Sequence, residues 1–171
     1  MIPGGIIEQM DIEKIRQSYR PLKVRILFIG ESPPASGRFF YVSSNMTNHT
    51  RKAFEMACGT TFKDEADFLG YFKKSGCYLD DLSHLPVNKL EHKERRQILQ
   101  GCVPLLGQRI VEMDPEVIVV VLKRLERYVR EAINQSGRQF ELHVLPFPGV
   151  GHQNRYIDGL RGILKKHLGG E

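Results

Sequence analysis

"KVRILFIGESPP", residues 23–34, is the stretch whose reading decides the fold. A run of β-branched and apolar residues stops abruptly at a glycine, an acid and two prolines. The run does not alternate polar with apolar positions, so it suits a strand buried on both faces. Gly30 ends that strand, and Glu31 opens the loop at its tip. Three further runs, "CYLDDL" (77–82), "DPEVIVVVL" (114–122) and "FELHVL" (140–145), also read as strands, the second the clearest of them. Helical patterns separate them in "NHTRKAFEMACG" (48–59), "KDEADFLGYFKKSG" (63–76), residues 93–113 and "RLERYVREAINQSG" (124–137). Three of the four close on glycine, a common helix stop. "DIEKIRQSYR" (11–20) precedes the first strand and "RYIDGLRGILKKHL" (155–168) closes the chain. In the long helix the apolar stripe reads as Ile98, Cys102, Leu105, Leu106 and Ile110.

Strands alternating with helices predict a single α/β domain over 1–171, a three-layer α/β/α sandwich around a central four-stranded parallel sheet. Ligands of such sheets bind outside the carboxyl ends of the strands, where strand order reverses. Function is therefore expected in the loops after Ile29, Leu82, Leu122 and Leu145.

Bulk properties fit one compact domain: 171 residues, 41% hydrophobic and 26% charged. No run of about eighteen apolar residues could span a membrane, and "MIPGGIIEQMDIEK" lacks the basic start and apolar length of a signal peptide. A cytoplasmic monomer without a membrane partner is expected. Cys58, Cys77 and Cys102 lie far apart and form no CxxC, so neither a disulfide framework nor a metal site is expected. The net charge of +5 leans toward an anionic partner. Lys123, Arg127 and Arg130 fall at helical spacing on one face, which reads either as a phosphate-binding stripe or as a solvated helix surface.

The loops after the strands hold Glu31, Ser32, Phe39, Phe40 and Tyr41; Asp80, Asp81, Ser83 and His84; and Pro146, Phe147, Pro148, His152, Asn154 and Arg155. Each has a plain structural reading, as helix cap, core ring or turn former. Together, aromatic walls with a few polar groups describe a pocket for a planar heterocycle, such as a nucleobase.

"VRILFIGESPP", "GRFFY", "CYLDDLSHLPVN", "LQGCVPLLGQRIVEMDPEVIVVVL" and "LPFPGVGHQNR" resemble, in order and spacing, segments of the uracil-DNA glycosylase superfamily. They are most similar to its G-E-x-P-G branch, whose enzymes often carry an iron–sulfur cluster. The resemblance implies hydrolysis of the N-glycosidic bond of uracil or another deaminated or damaged base in DNA. It implies that Glu31 orients or activates the attacking water, that Gly30 and Ser32 let the main chain approach the sugar, and that Phe40 stacks on the flipped base. By the same likeness Asp81 reads the base edge and Asn154 belongs to the last base-contacting loop. Arg38, Lys123 and Arg155 would take up phosphates of damaged or single-stranded DNA. A carboxylate beside the sugar suits the positive charge that develops there.

The chain also departs from that pattern. Leu145, Pro146 and Phe147 stand where the superfamily has histidine, proline and serine, which leaves His152 as the substitute imidazole. Asp81 replaces an asparagine, and an ionised carboxylate offers only acceptors to a base. Pro34 replaces a glycine. Three scattered cysteines cannot hold a four-thiolate cluster, so no cofactor is expected. The alternative is a catalytically reduced relative that binds a nucleobase, nucleotide or nucleic acid without cleaving it. An unrelated α/β enzyme with a small phosphorylated substrate has no Walker or GxGxxG pattern to support it.

Overall fold

The computed structural model describes residues 9–169. The N-terminal stretch judged not to be a signal peptide lies largely outside these residues. The elements run α1 (Gln9–Ser18), β1 (Ile26–Gly30), α2 (Asn45–Cys58), α3 (Glu65–Lys74), β2 (Cys77–Asp81), α4 (His92–Met113), β3 (Val117–Val120), α5 (Glu126–Ser136), β4 (Glu141–Val144) and α6 (Gln153–Leu168), with one 3-10 turn at Lys123–Leu125. All four strands are parallel, in the order β2-β1-β3-β4. Helices α2, α3 and α6 pack together, as do α4 and α5, which gives the three-layer α/β/α sandwich.

Burial explains why the strand runs lack alternation. Ile26, Leu27, Phe28 and Ile29 are fully buried, as are Val117, Ile118, Val119 and Val120. Each such side chain contributes roughly 1.5–3 kcal/mol by leaving water. β2 and β4 are the sheet edges, and they differ. β2 is buried along its whole length, whereas every residue of β4 is half-buried.

The helices are closed by local chemistry. Ser44 caps α2 through the Thr47 N–H, and Asp64 caps α3 through the Asp67 N–H. α2 therefore starts at Asn45, three residues before the sequence pattern places it. α4 carries Pro104 in its interior, and its buried side is Leu99, Val103, Leu106, Ile110 and Met113. The expected stripe is corrected by about one position: Leu105 is 56% exposed, and Ile98 and Cys102 are only half-buried. Gly107 fixes how α4 meets α5, because a Cβ there would stand 3.0 Å from the Ala132 carbonyl oxygen. No described helix is long and apolar enough to cross a membrane.

Candidate functional site

Strand order reverses between β1 and β3, since the chain leaves β1 toward β2 and leaves β3 toward β4. The loops leaving the carboxyl ends of β1 and β3 part there and open a cleft of about 550 Å³. Gly30, Glu31, Ser32, Arg38, Phe40 and Asp81 all line it. So do Asn88 from the loop after β2, Arg95 of α4, Arg124 after β3, and Phe147 after β4.

Glu31 is not a free carboxylate at the strand tip. Arg95 donates to Oε1, while Arg124 donates from Nε to Oε2 at 3.0 Å and from Nη2 to Oε1 at 3.2 Å. The Glu31 side chain is only 10% exposed, and the Arg124 side chain is 56% exposed. The clamp ties the loop after β1 to α4 and to the turn after β3, across the switch point. Ser32 and Asn88 stitch the neighbouring loops: Ser32 Oγ accepts the Val87 N–H at 3.2 Å, and Asn88 Oδ1 accepts the Ala35 N–H at 3.1 Å.

Asp81 forms the floor beside Gly30. A Cβ on residue 30 would fall 2.6 Å from Asp81 Oδ1, so only glycine admits the carboxylate here. The other oxygen accepts from Arg16 Nη2 at 2.7 Å. Burial, reinforced by the Asp80 charge and opposed by Arg16, pushes the Asp81 carboxyl up to about 6. Asp80 goes the other way. Burial disfavours its charge, but the hydrogen bond from His84, at 2.8 Å, and the charges of Arg109 and Arg16 hold it at about 2. Arg109 Nε reaches Asp80 Oδ2 at 2.8 Å. Arg16 itself is wholly buried, and its Nε has no hydrogen-bond partner.

Phe40 lines the cleft with one part of its ring and is otherwise core. It is 4% exposed and packs on Tyr41 and Phe72 with ring centroids 5.1 Å apart in both pairs. Its carbonyl accepts from Thr47 Oγ1. Tyr41 anchors the cluster to β2, donating to the Leu79 carbonyl and accepting the Leu79 N–H at 2.6 Å.

The remaining residues expected at the site lie elsewhere. Lys123, His152, Asn154 and Arg155 are exposed and are not among the residues lining the cleft. His152 occupies the cap position of α6 and makes no side-chain cap bond, so its imidazole does not replace a catalytic histidine in the cleft. Leu145 turns inward instead, packing its Cδ2 into a notch that exists because residue 159 is glycine. The exposed faces of Arg127 and Arg130 serve local contacts, Arg127 over the Tyr128 ring and Arg130 on Glu126. Sequence reasoning missed Arg16, Arg95 and Arg124 as site residues. Buried or half-buried acids at strand ends call for cations, and that demand was the available signal.

These features define a parallel α/β domain with a charged, aromatic-walled cleft at its switch point. No family model matches the chain. Over 93 residues, 54% of this chain, it is 28% identical to a glutamate racemase of Shewanella loihica. The match spans 31% of that protein, so the chain covers about a third of the relative's length. The likeness is to an enzyme, and not to a hydrolase of N-glycosyl bonds. It overturns the expectation of a DNA glycosylase, and with it the expectation of a base-binding remnant of one. The site agrees with that correction: Glu31 is engaged by two guanidinium groups, and among the described residues lining the cleft there is no imidazole.

Proposed function

We propose that the cleft is the active site of an enzyme that moves a proton on a small carboxylate-bearing substrate. The observation that carries this reading is Asp81. It is a buried carboxyl lining an otherwise largely apolar cleft, poised at about 6, where an acid–base group works best near neutral pH. Arg38 and Arg124, both exposed on the same cleft, supply cations for a substrate carboxylate. Arg124 can exchange Glu31 for that carboxylate while Arg95 keeps Glu31 neutralised. A volume of about 550 Å³ suits a small metabolite. The matched racemase is named for glutamate, a compact compound with two carboxylates, which makes glutamate the first substrate to try.

Racemisation removes a proton from one face of a carbon and returns it to the other. The acid–base groups in this cleft are carboxylates, since none of the three cysteines lines it. Cys77 is buried in β2 with its thiol pushed far up by burial. With Glu31 held by Arg95 and Arg124, Asp81 is the carboxylate left to take the α-proton, and a solvent proton returning to the carbon completes the exchange.

The test is exchange of the substrate α-proton in D2O, followed by proton NMR over a panel of amino and hydroxy acids starting with glutamate. At least one compound should lose its α-proton signal, and Asp81→Asn should slow that loss by about a hundredfold or more while binding persists. Arg124→Ala should weaken binding roughly tenfold. The reading fails if no compound exchanges, or if Asp81→Asn exchanges as fast as the parent chain. Kinship with the uracil-DNA glycosylase superfamily is kept as a proposal about the scaffold alone, supported by the order of the five segments and carrying no base-excision activity.

A further inference from the structure

At the other end of the sheet, away from the cleft, a second constellation has no part in the reading above. Glu141 and His143 sit two residues apart on β4, so their side chains leave the same face of the strand. The last turn of α6 brings His167 against them, with the His167 carbonyl fixed by Arg25 Nη2 at 2.9 Å. His143 Nε2 and His167 Nε2 stand 3.1 Å and 2.7 Å from the same oxygen, Glu141 Oε2. The ligating atoms of all three lie within 4.8 Å of one another.

We propose that Glu141, His143 and His167 bind a divalent transition-metal ion of the zinc type. Two imidazoles and one carboxylate are the donor set of zinc, cobalt, nickel and ferrous sites, whereas magnesium and calcium prefer oxygen alone. Ligand atoms about 2.0–2.1 Å from a tetrahedral zinc ion are roughly 3.3 Å from each other. The two nitrogen–oxygen gaps need to open by only a few tenths of an ångström, and the widest gap, no more than 4.8 Å, to close by at most about 1.5 Å. In the metal-bound form each Nε2 presents its lone pair to the ion, with the remaining ring proton on Nδ1.

The neighbouring cations leave room for it. Lys166 Nζ bonds Oε1 at 2.9 Å, not the shared oxygen, and its side chain is 63% exposed and free to swing into solvent. Arg25 is turned toward Glu116 and the His167 carbonyl. The Glu141 and His143 side chains are each 35% exposed, so water can complete the coordination. A bound ion would clip the edge strand β4 to the end of α6.

The experiment loads metal-stripped protein with Co2+ and with Zn2+, following visible absorption and thermal unfolding. Expected are one equivalent of Co2+ with ligand-field bands of a nitrogen–oxygen site, and a melting temperature raised by about 5–10 °C at Zn2+ roughly a hundredfold above Kd. His143→Ala and His167→Ala should each weaken uptake at least tenfold. Glu141→Gln, which keeps the side-chain shape, gives the same readout should a histidine variant not fold. No saturable uptake up to about 100 µM metal overturns the proposal. So does uptake that survives the double histidine change, or a thiolate charge-transfer band placing the ion on a cysteine.

Discussion

The two edges of the sheet are built from the same ingredients and behave differently. At β2, carboxylates meet a histidine and arginines: Asp80 and Asp81 are 2% and 5% exposed, and Arg16 is 0% exposed. At β4, a carboxylate meets two histidines and a lysine, but the Glu141 side chain stays 35% exposed. Burial turns the first set into a tuned network, with one acid held at about 2 and its neighbour pushed to about 6. Partial exposure leaves the second set loosely bound in energy and open to a ligand. Charge that is sealed in shapes the fold and the cleft chemistry; charge that is left at the surface is available for exchange.

The sharpest way to break this contrast is to remove one buried cation. Arg16→Met keeps the length of the side chain but leaves Asp81 beside Asp80 without its partner. Such a change should cost about 3–5 kcal/mol in urea denaturation at pH 7, because Asp81 is left either as an unpaired buried charge or protonated far above its ordinary 3.8. The double variant Arg16→Met with Asp81→Asn should recover a large part of that loss. A loss below about 1 kcal/mol would show the β2 edge to be no more committed than a surface ion pair.

A steric change at the same edge comes next. Gly30→Ala drives a methyl group to 2.6 Å from Asp81 Oδ1, whose carboxylate is already pinned by Arg16. A loss of about 1–3 kcal/mol is expected, and Asp81→Gly should relieve most of it by emptying the space. If Gly30→Ala is neutral, the floor of the cleft is looser than its geometry implies.

The third prediction separates the two aspartates by pH. Asp81 has its folded value raised from 3.8 to about 6, so between those values the folded chain keeps a proton that the unfolded chain has released. Stability should therefore rise as pH falls from 7 toward 4, by about 1–3 kcal/mol, and Asp81→Asn should abolish the rise. Asp80 works in the opposite sense. Its value is lowered to about 2, so the stability it contributes is present above about 3.8 and is lost as pH falls toward 2. Urea midpoints at pH 7, 5.5 and 4.5 resolve the first effect before the second sets in.

The sequence made the scaffold legible because strand interiors buried on both faces leave an unbroken apolar signal. The runs at Ile26–Gly30 and Val117–Val120 show it directly. Parallel topology then placed Gly30, Glu31, Ser32, Arg38, Phe40 and Asp81 around one cleft. What resisted reading was which partner each charge finds. Arg16 lies four residues after the buried Ile12, so it shares the helix's inward face, yet an arginine there reads by default as surface. Arg95 and Arg124 reach Glu31 across 64 and 93 residues of sequence, distances over which no local pattern carries information. His152 failed for a simpler reason: a polar residue in a Pro/Gly loop after a strand belongs as easily to the cap of the next helix as to the cleft.

The smallest effect belongs to the exposed edge. Glu141 is held down to about 2 by hydrogen bonds from Lys166, His143 and His167. Its folded value lies below the ordinary 4.5, so any stability it adds is present above that pH and is lost as pH falls toward 2. Three partners would suggest a large contribution, but water screens a carboxylate this exposed. Glu141→Gln should therefore cost less than about 1 kcal/mol at pH 7 in metal-free protein, although Arg16→Met costs several times more with a comparable number of contacts removed. Unfolding measured with chelator present keeps a bound ion from adding to the result. A cost above about 2 kcal/mol would mean that contact number rather than burial sets the value of these networks, and the distinction between the two edges would not stand.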